Sequence, residues 1–388
     1  MGVFSELTFL LLSTLNWFGL ISLVIGFLLV VVLLVILFKS DCDLSLKLYE
    51  KLGANPSKLY GKVVWITGAS SGIGEDLCYT LASCGAKLIL SARREKQLRK
   101  VLEKCKELSP TEMKECHMVL PLDLLNTDHH RDYALEVLQE FGRIDILVNN
   151  AGRSQRAEAK ETRLDVDRAV LELNTLGTIS MTKVVLPHML EQEDGGIITV
   201  ISSVAGKMGA PGSASYSASK HALQGYFDTL RMELADTGVG VLTVCPGPVD
   251  TPFMRELFGK ELVQKQKEEV RKKHLLEKIG PKPSLNGEVC EVLKTFPVAD
   301  SISASTESTE TWKSDPGRLN GNRCAQLIAV AMANNLEEVW ISKQPILLFT
   351  YLSQYFPTVF RWLGKHQGSK RLNAIKAGKH NVDGHFFR

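Results

Sequence analysis

The sequence has no pair of cysteines at the spacing of a metal knuckle and no histidine beside one at ligand distance. Its eight cysteines, Cys42, Cys78, Cys84, Cys105, Cys116, Cys245, Cys290 and Cys324, are scattered. They read as reduced, mostly buried thiols, and no metal site is expected. N-glycosylation is excluded as well, because the only Asn-x-Ser/Thr triplet, Asn55-Pro56-Ser57, has proline in its middle position. A charge excess is also missing. The 46 Lys and Arg against 43 Asp and Glu leave a net charge of +3, and nowhere in the body of the chain do basic and aromatic residues interleave densely. Nucleic acid is therefore not an expected partner.

One stretch lacks charge altogether. No charged residue occurs between Phe9 and Phe38, and the run from Phe18 to Phe38 is almost wholly aliphatic. As a helix it is long enough to cross about 30 Å of hydrocarbon. A cleaved signal peptide is the competing reading, but its apolar part is normally about 7–15 residues long and follows a basic start. Here Ser5-Glu6 precede the run and Lys39-Ser40-Asp41 follow it. Residues 1–40 are thus expected to be a retained single-pass membrane anchor. Lys39, Lys47, Lys51, Lys58 and Lys62 lie on its C-terminal side, which points the rest of the chain to the cytosol.

After a polar connector at residues 41–60, broken by Gly53 and Pro56, strand-like and helix-like patterns alternate. Strands are expected at Lys62–Thr67, Lys87–Ser91, Met118–Leu122, Ile144–Val148, Gly196–Ile201, Gly240–Cys245 and Glu338–Ser342. Helices are expected at Ile73–Ser83, Glu95–Glu107, Thr127–Phe141, Leu164–Leu190 and Tyr216–Leu234. Alternation of this kind gives an α/β fold, a doubly wound seven-stranded parallel sheet of Rossmann type, here spanning residues 61–345. Pro252–Lys278 reads as a charged amphipathic helix. Residues 280–321, dominated by Ser, Thr, Glu, Pro and Gly, read as a flexible insertion. Residues 346–388 form an amphipathic segment and a basic tail. The aromatic-rich Pro345–Trp362 suits either a last helix packed on the domain or a segment lying on a membrane.

Chemistry concentrates at the ends of the strands. Thr67-Gly68-Ala69-Ser70-Ser71-Gly72-Ile73-Gly74 joins the first strand to the first helix. Glycines let the backbone turn tightly against a pyrophosphate, whose charge is met by free N–H groups at the helix start. The second strand ends in Ser91-Ala92-Arg93-Arg94, with no carboxylate for a ribose 2′-hydroxyl. The two arginines suit the 2′-phosphate of NADP(H) instead. Asp123 follows the third strand, where it can meet the adenine edge, and Asn149-Asn150-Ala151-Gly152 closes the fourth. Tyr216 and Lys220 stand four apart, hence on one helix face. A phenol of pKa near 10 is a poor proton donor or acceptor at neutral pH unless a cation favours its ionised form, and Lys220 supplies one. Such a pair alone is a weak signal. Ser203 at the end of the fifth strand, Asn174 upstream, and Pro246, Gly247, Val249 and Thr251 after the sixth strengthen it.

In this order the motifs TGASSGIG, NNAG, YSASK and PGPVDT, with Asn174 and Ser203, resemble the short-chain dehydrogenase/reductase superfamily over roughly Lys62–Ser342. The resemblance implies a catalytic set of Asn174, Ser203, Tyr216 and Lys220, which exchanges the 4-pro-S hydride of NADPH with a carbonyl carbon. More narrowly, the anchor, RIDILVNN, LPHM, SASKHAL and EVWISKQPILLFTYLSQYFPT are similar to a microsomal, retinal-type branch. That branch implies the endoplasmic reticulum membrane and lipophilic substrates such as steroids, retinoids and xenobiotic carbonyls. Competing readings are an NAD-dependent dehydrogenase working towards oxidation and a non-catalytic cofactor-binding scaffold. Oligomeric state is left open, a homodimer included.

Overall fold

The computed structural model describes residues 17–29, 31, 39–251 and 317–376. The apolar runs pair edge to edge. Strands β1 (Val63–Thr67), β2 (Lys87–Ser91), β3 (Met118–Val119), β4 (Ile146–Asn149), β5 (Gly196–Ile201), β6 (Val239–Pro246) and β9 (Glu338–Ile341) form one parallel seven-stranded sheet, ordered β3-β2-β1-β4-β5-β6-β9. A two-stranded pairing of β7 (Val249–Asp250) with β8 (Leu319–Asn320) lies beside it. Every residue of β1 is buried, as a strand covered on both faces requires. Trp65 is accommodated there because its Nε1–H donates to Ser91 Oγ at 2.9 Å.

Helices cover both faces. On one, α3 (Gly72–Ser83), α4 (Glu95–Leu108) and α9 (Gly321–Ala333) bury Leu77, Leu81, Leu98 and Leu327. On the other, α5 (His130–Phe141), α7 (Gly177–Leu190) and α8 (Ala214–Glu233) bury Val137, Met181, Val185 and Phe227. Strand order reverses between β1 and β4, which opens a crevice at the carboxyl ends of the strands, the usual ligand position in such sheets. The helix expected at Leu164–Leu190 is present as α6 (Leu164–Leu171) and α7, joined by a π turn at Glu172–Leu176.

Several expectations need correction. Residues 41–60 are not merely a connector. They carry α2 (Leu44–Leu52) and a 3₁₀ turn at Pro56–Leu59, with Cys42 and Leu46 buried in the core. Asp43 caps α2 through Leu46 N (2.9 Å) and accepts from Trp340 N (2.7 Å), while Arg323 of α9 donates to Asp41 and Glu50. The segment is thereby tied to β9 and α9. The end of the supposed insertion is ordered too: Leu319 N donates to Pro248 O at 3.0 Å, and Arg318 and Leu319 are buried. Helix α9, which immediately follows, was not among the expected elements. Strand β3 is only two residues long, yet Leu120 N and Leu122 N still donate to Leu90 O and Ala92 O at 3.0 and 3.1 Å.

The expected amphipathic helix at Pro252–Lys278 and residues 280–316 of the insertion lie outside the described residues. Within the apolar N-terminal run, α1 (Trp17–Leu29) is helical and exposes Phe18, Leu23 and Phe27. At 1.5 Å per residue, these 13 residues span about 20 Å, and residues 30 and 32–38 of the run lie outside the described residues. At the other end, α10 (Ile346–Tyr355) buries Leu347 and Thr350, and packs Tyr351 edge-on to Trp340 with ring centroids 5.0 Å apart. Together with α11 (Pro357–Lys376) it leaves Leu348, Tyr355, Phe356, Val359 and Trp362 exposed.

Candidate active site

The turn between β1 and α3 is shaped by three glycines. Gly68 (φ +69°) and Gly72 (φ +64°) adopt backbone that other residues rarely accept. A Cβ on Gly68 would stand 2.8 Å from Ala151 Cα, and one on Gly74 would stand 2.4 Å from Gly68 O. Gly74 thus lies behind the turn and permits it, whereas Gly68, Ser70, Ser71, Gly72 and Ile73 line the cleft. Asn150 staples the turn to β4 by donating from Nδ2 to Thr67 O (3.0 Å) and Gly68 O (3.2 Å). A glycine-shaped turn at the start of a 12-residue helix fits a pyrophosphate.

At the end of β2, Arg93 and Arg94 border the same cleft. Arg94 Nη2 donates to Ser70 Oγ (3.2 Å) and Ser71 Oγ (3.0 Å), so its guanidinium lies against the glycine turn. Asp123 also borders the cleft, with Oδ1 accepting from Leu125 N at 3.1 Å. Pro246, Gly247, Val249 and Thr251 complete this side. The residues present fit a dinucleotide.

Ser203, Tyr216 and Lys220 line the same cleft. Helix α8 starts at Ala214, so both Tyr216 and Lys220 fall within it. Its start is fixed by Ser215, whose hydroxyl donates to Asp167 of α6. Lys220 is buried: its Nζ donates to Ile201 O at 2.7 Å and lies 5.8 Å from the centre of the Tyr216 ring. Burial pushes its pKa down to about 8, because desolvation disfavours the ammonium. Ser203 Oγ donates to Pro246 O (3.3 Å) and accepts from Ala205 N (3.1 Å).

Asn174 sits on the π turn, fully buried and just behind the cleft wall. Its side chain accepts from Arg153 N (2.8 Å) and donates to Arg153 O (2.9 Å) and Ser219 Oγ (3.0 Å). Its amide thereby clamps the Gly152–Arg153 loop to α8. A Cβ on Gly152 would stand 3.0 Å from Asn174 Oδ1 and 3.8 Å from Lys220 Nζ, so these groups are close neighbours.

Sequence reasoning missed Arg153, Arg156, Arg318 and Arg371, all of which line the cleft. The first two follow the NNAG motif directly, a signal that could have been used. No group of three or more His, Cys, Asp or Glu suited to a metal occurs among the described residues.

The family described as short chain dehydrogenase matches residues 62–262. Over 377 residues the chain is 41% identical to Dehydrogenase/reductase SDR family member 7 of Homo sapiens, covering 96% of this chain and 98% of that one. The Mus musculus protein of the same name is 38% identical over 340 residues, 87% of each. Among solved structures, a short chain dehydrogenase/reductase from Burkholderia phymatum in complex with NAD superposes with a TM-score of 0.58 at 24% identity, covering 78% of this chain and 96% of that one. An alcohol dehydrogenase from Thermococcus sibiricus complexed with 5-hydroxy-NADP gives 0.53 at 23% identity, covering 73% and 97%. Those two share the fold. Matched by the family model over half its length and by a relative along nearly all of it, the chain belongs to the short-chain dehydrogenase/reductase family of oxidoreductases.

Proposed function

We propose that the chain is an NADP(H)-dependent carbonyl reductase and alcohol dehydrogenase acting on lipophilic substrates such as steroids, retinoids and xenobiotic carbonyls. The observation that carries this reading is one cleft lined both by Arg93 and Arg94 and by Tyr216, Lys220 and Ser203. NADPH, when bound, supplies the hydride that reduces the carbonyl carbon. Ser203 Oγ holds the carbonyl oxygen, and Tyr216 Oη donates the proton that this oxygen needs. Lys220, positioned by Ile201 O and charged below about pH 8, stabilises the phenolate left behind and relays its proton back. Asn174 is a positioning residue that keeps the Gly152–Arg153 loop against α8.

A panel of steroid, retinoid and small aromatic carbonyls, each offered with NADPH and with NADH, tests the reading. NADPH consumption matched by alcohol product, and absent with Tyr216→Phe, is expected. Consumption that is equal in the variant, or confined to NADH, would count against it.

The uncharged run Phe9–Phe38 and the exposed apolar residues of α1 support anchoring in the endoplasmic reticulum membrane, with the folded domain in the cytosol. Removing residues 1–38, which spares the packed Ser40–Asp43 segment, is expected to leave turnover intact. The shortened chain should leave membranes in a high-salt wash, which weakens attraction between the basic tail and anionic lipid. Retention through that wash would remove the anchor from the account. Protease added to sealed microsomes should digest the domain, and protection until detergent is added would reverse its orientation.

A further inference from the structure

Helix α2 is reversed for a helix that faces water. Of its three charged side chains, Lys47 and Glu50 are half-buried, with Glu50 accepting from Lys47 and from Arg323 of α9. Leu44, Leu48 and Leu52, four positions apart and hence on one side of the helix, are exposed instead. Tyr351 Oη of α10 accepts from Leu44 N at 3.0 Å, and the Tyr351 ring stacks on that of Tyr355 with centroids 6.3 Å apart. The start of α2 therefore adjoins the end of α10. From there Tyr355, Phe356, Val359 and Trp362 are exposed in succession across the junction with α11. Charge in this region has one sign: no Asp or Glu occurs between Glu338 and Asp383, and Arg361, Lys365 and Lys370 are exposed on α11.

The point at which the chain enters the domain identifies what lies against this surface. The uncharged run ends at Phe38, and Ser40, two positions on, is already buried, with Cys42 bridged to Ile341 of β9. Two residues reach at most about 7 Å, roughly the depth of one headgroup layer. A run inserted up to Phe38 thus leaves the domain no slack to stand clear of the lipid. We propose that α2 and the α10–α11 junction make a second, interfacial contact with the bilayer. The leucines and aromatics enter the boundary between headgroups and acyl chains, while Arg361, Lys365 and Lys370 meet anionic headgroups. Weak by itself, the contact is made because the anchor holds it at the surface, which raises its effective concentration. Ile346 and Arg371 of the same two helices line the cleft, so the contact brings the cleft to the layer in which a lipophilic substrate is concentrated. This inference rests on the anchor reading and adds a face to it.

The test places a nitroxide at Leu48→Cys, at Phe356→Cys or, as a control on α8, at Met232→Cys, three exposed positions whose substitution leaves the core untouched. Full-length protein with Cys84, Cys116 and Cys290 replaced by Ser is loaded as single copies into nanodiscs of phosphatidylcholine and phosphatidylserine. Spin relaxation is then measured with oxygen, which dissolves in acyl chains, and with a water-soluble nickel chelate. The ratio of oxygen to nickel accessibility at the Leu48 and Phe356 positions should exceed that at Met232 by at least about fivefold, as expected of side chains some 5–10 Å into the boundary. A ratio like that of Met232 at either position, in protein that stays in the discs through a high-salt wash, overturns the inference and leaves the anchor standing. Low accessibility to both reagents means that protein, a second copy included, covers the face, and overturns it as well. Loss of the full-length protein from the discs in that wash removes the anchor and the inference together.

Discussion

Tyr216→Phe is expected to lower kcat by about 10²–10⁴-fold, the usual worth of a positioned general acid, while the Kd for NADPH stays nearly unchanged. The substitution removes one hydroxyl and keeps the ring on α8. Lys220→Ala should behave differently. Lys220 is buried with its Nζ on Ile201 O at 2.7 Å, and the variant leaves that carbonyl without its donor as well as Tyr216 without its cation. Loss of both turnover and cofactor affinity is expected there. A Tyr216→Phe enzyme that kept more than about a hundredth of the wild-type rate would remove the phenol from the role of acid.

Replacing Arg93 and Arg94 with Ala should reduce the preference for NADPH over NADH by at least about tenfold, since one charge-assisted hydrogen bond contributes roughly 1.5–3 kcal/mol. The two arginines can be told apart. Arg94 also braces Ser70 and Ser71 of the glycine turn, so its removal should raise KM for both cofactors to some degree. Arg93→Ala should act on NADPH alone. The readout is the ratio of kcat/KM values for the two cofactors in each variant. Equal losses with NADPH and NADH in Arg93→Ala would make the basic corner a plain exposed turn.

Much of this architecture was legible because parallel strands covered on both faces leave unbroken apolar runs. Lys87–Ser91 and Gly196–Ile201 fall at the expected bounds. The elements that were missed owe their order to partners far along the chain. Residues 41–60 look polar in isolation, yet Asp41, Asp43 and Glu50 are matched by Arg323 and Trp340, nearly three hundred positions away. Helix α9 begins where the expected insertion ends and was not among the expected elements, although Asn320 caps it and Cys324, Leu327 and Ile328 mark an apolar face.

The candidate site shows the same division. The glycine turn, Ser203 and the Tyr216–Lys220 pair could be read locally, because spacing and position after a strand already say where such residues point. The clamp made by Asn174 could not, since it depends on a π turn bringing its amide to Arg153 and Ser219. Arg371 was wholly hidden, because its place in the cleft follows from α11 resting on the loop at Pro211.

The central claim is that this cleft moves a hydride between the nicotinamide and a carbonyl carbon. The most direct measurement uses NADPH carrying deuterium at the 4-pro-S position, incubated with the full-length protein and an aromatic or fatty aldehyde, with mass spectrometry of the product. One deuterium on the carbinol carbon of the alcohol, absent when Tyr216→Phe replaces the wild type, is the predicted result. Alcohol formed without deuterium, or NADPH consumed with no alcohol at all, would contradict it.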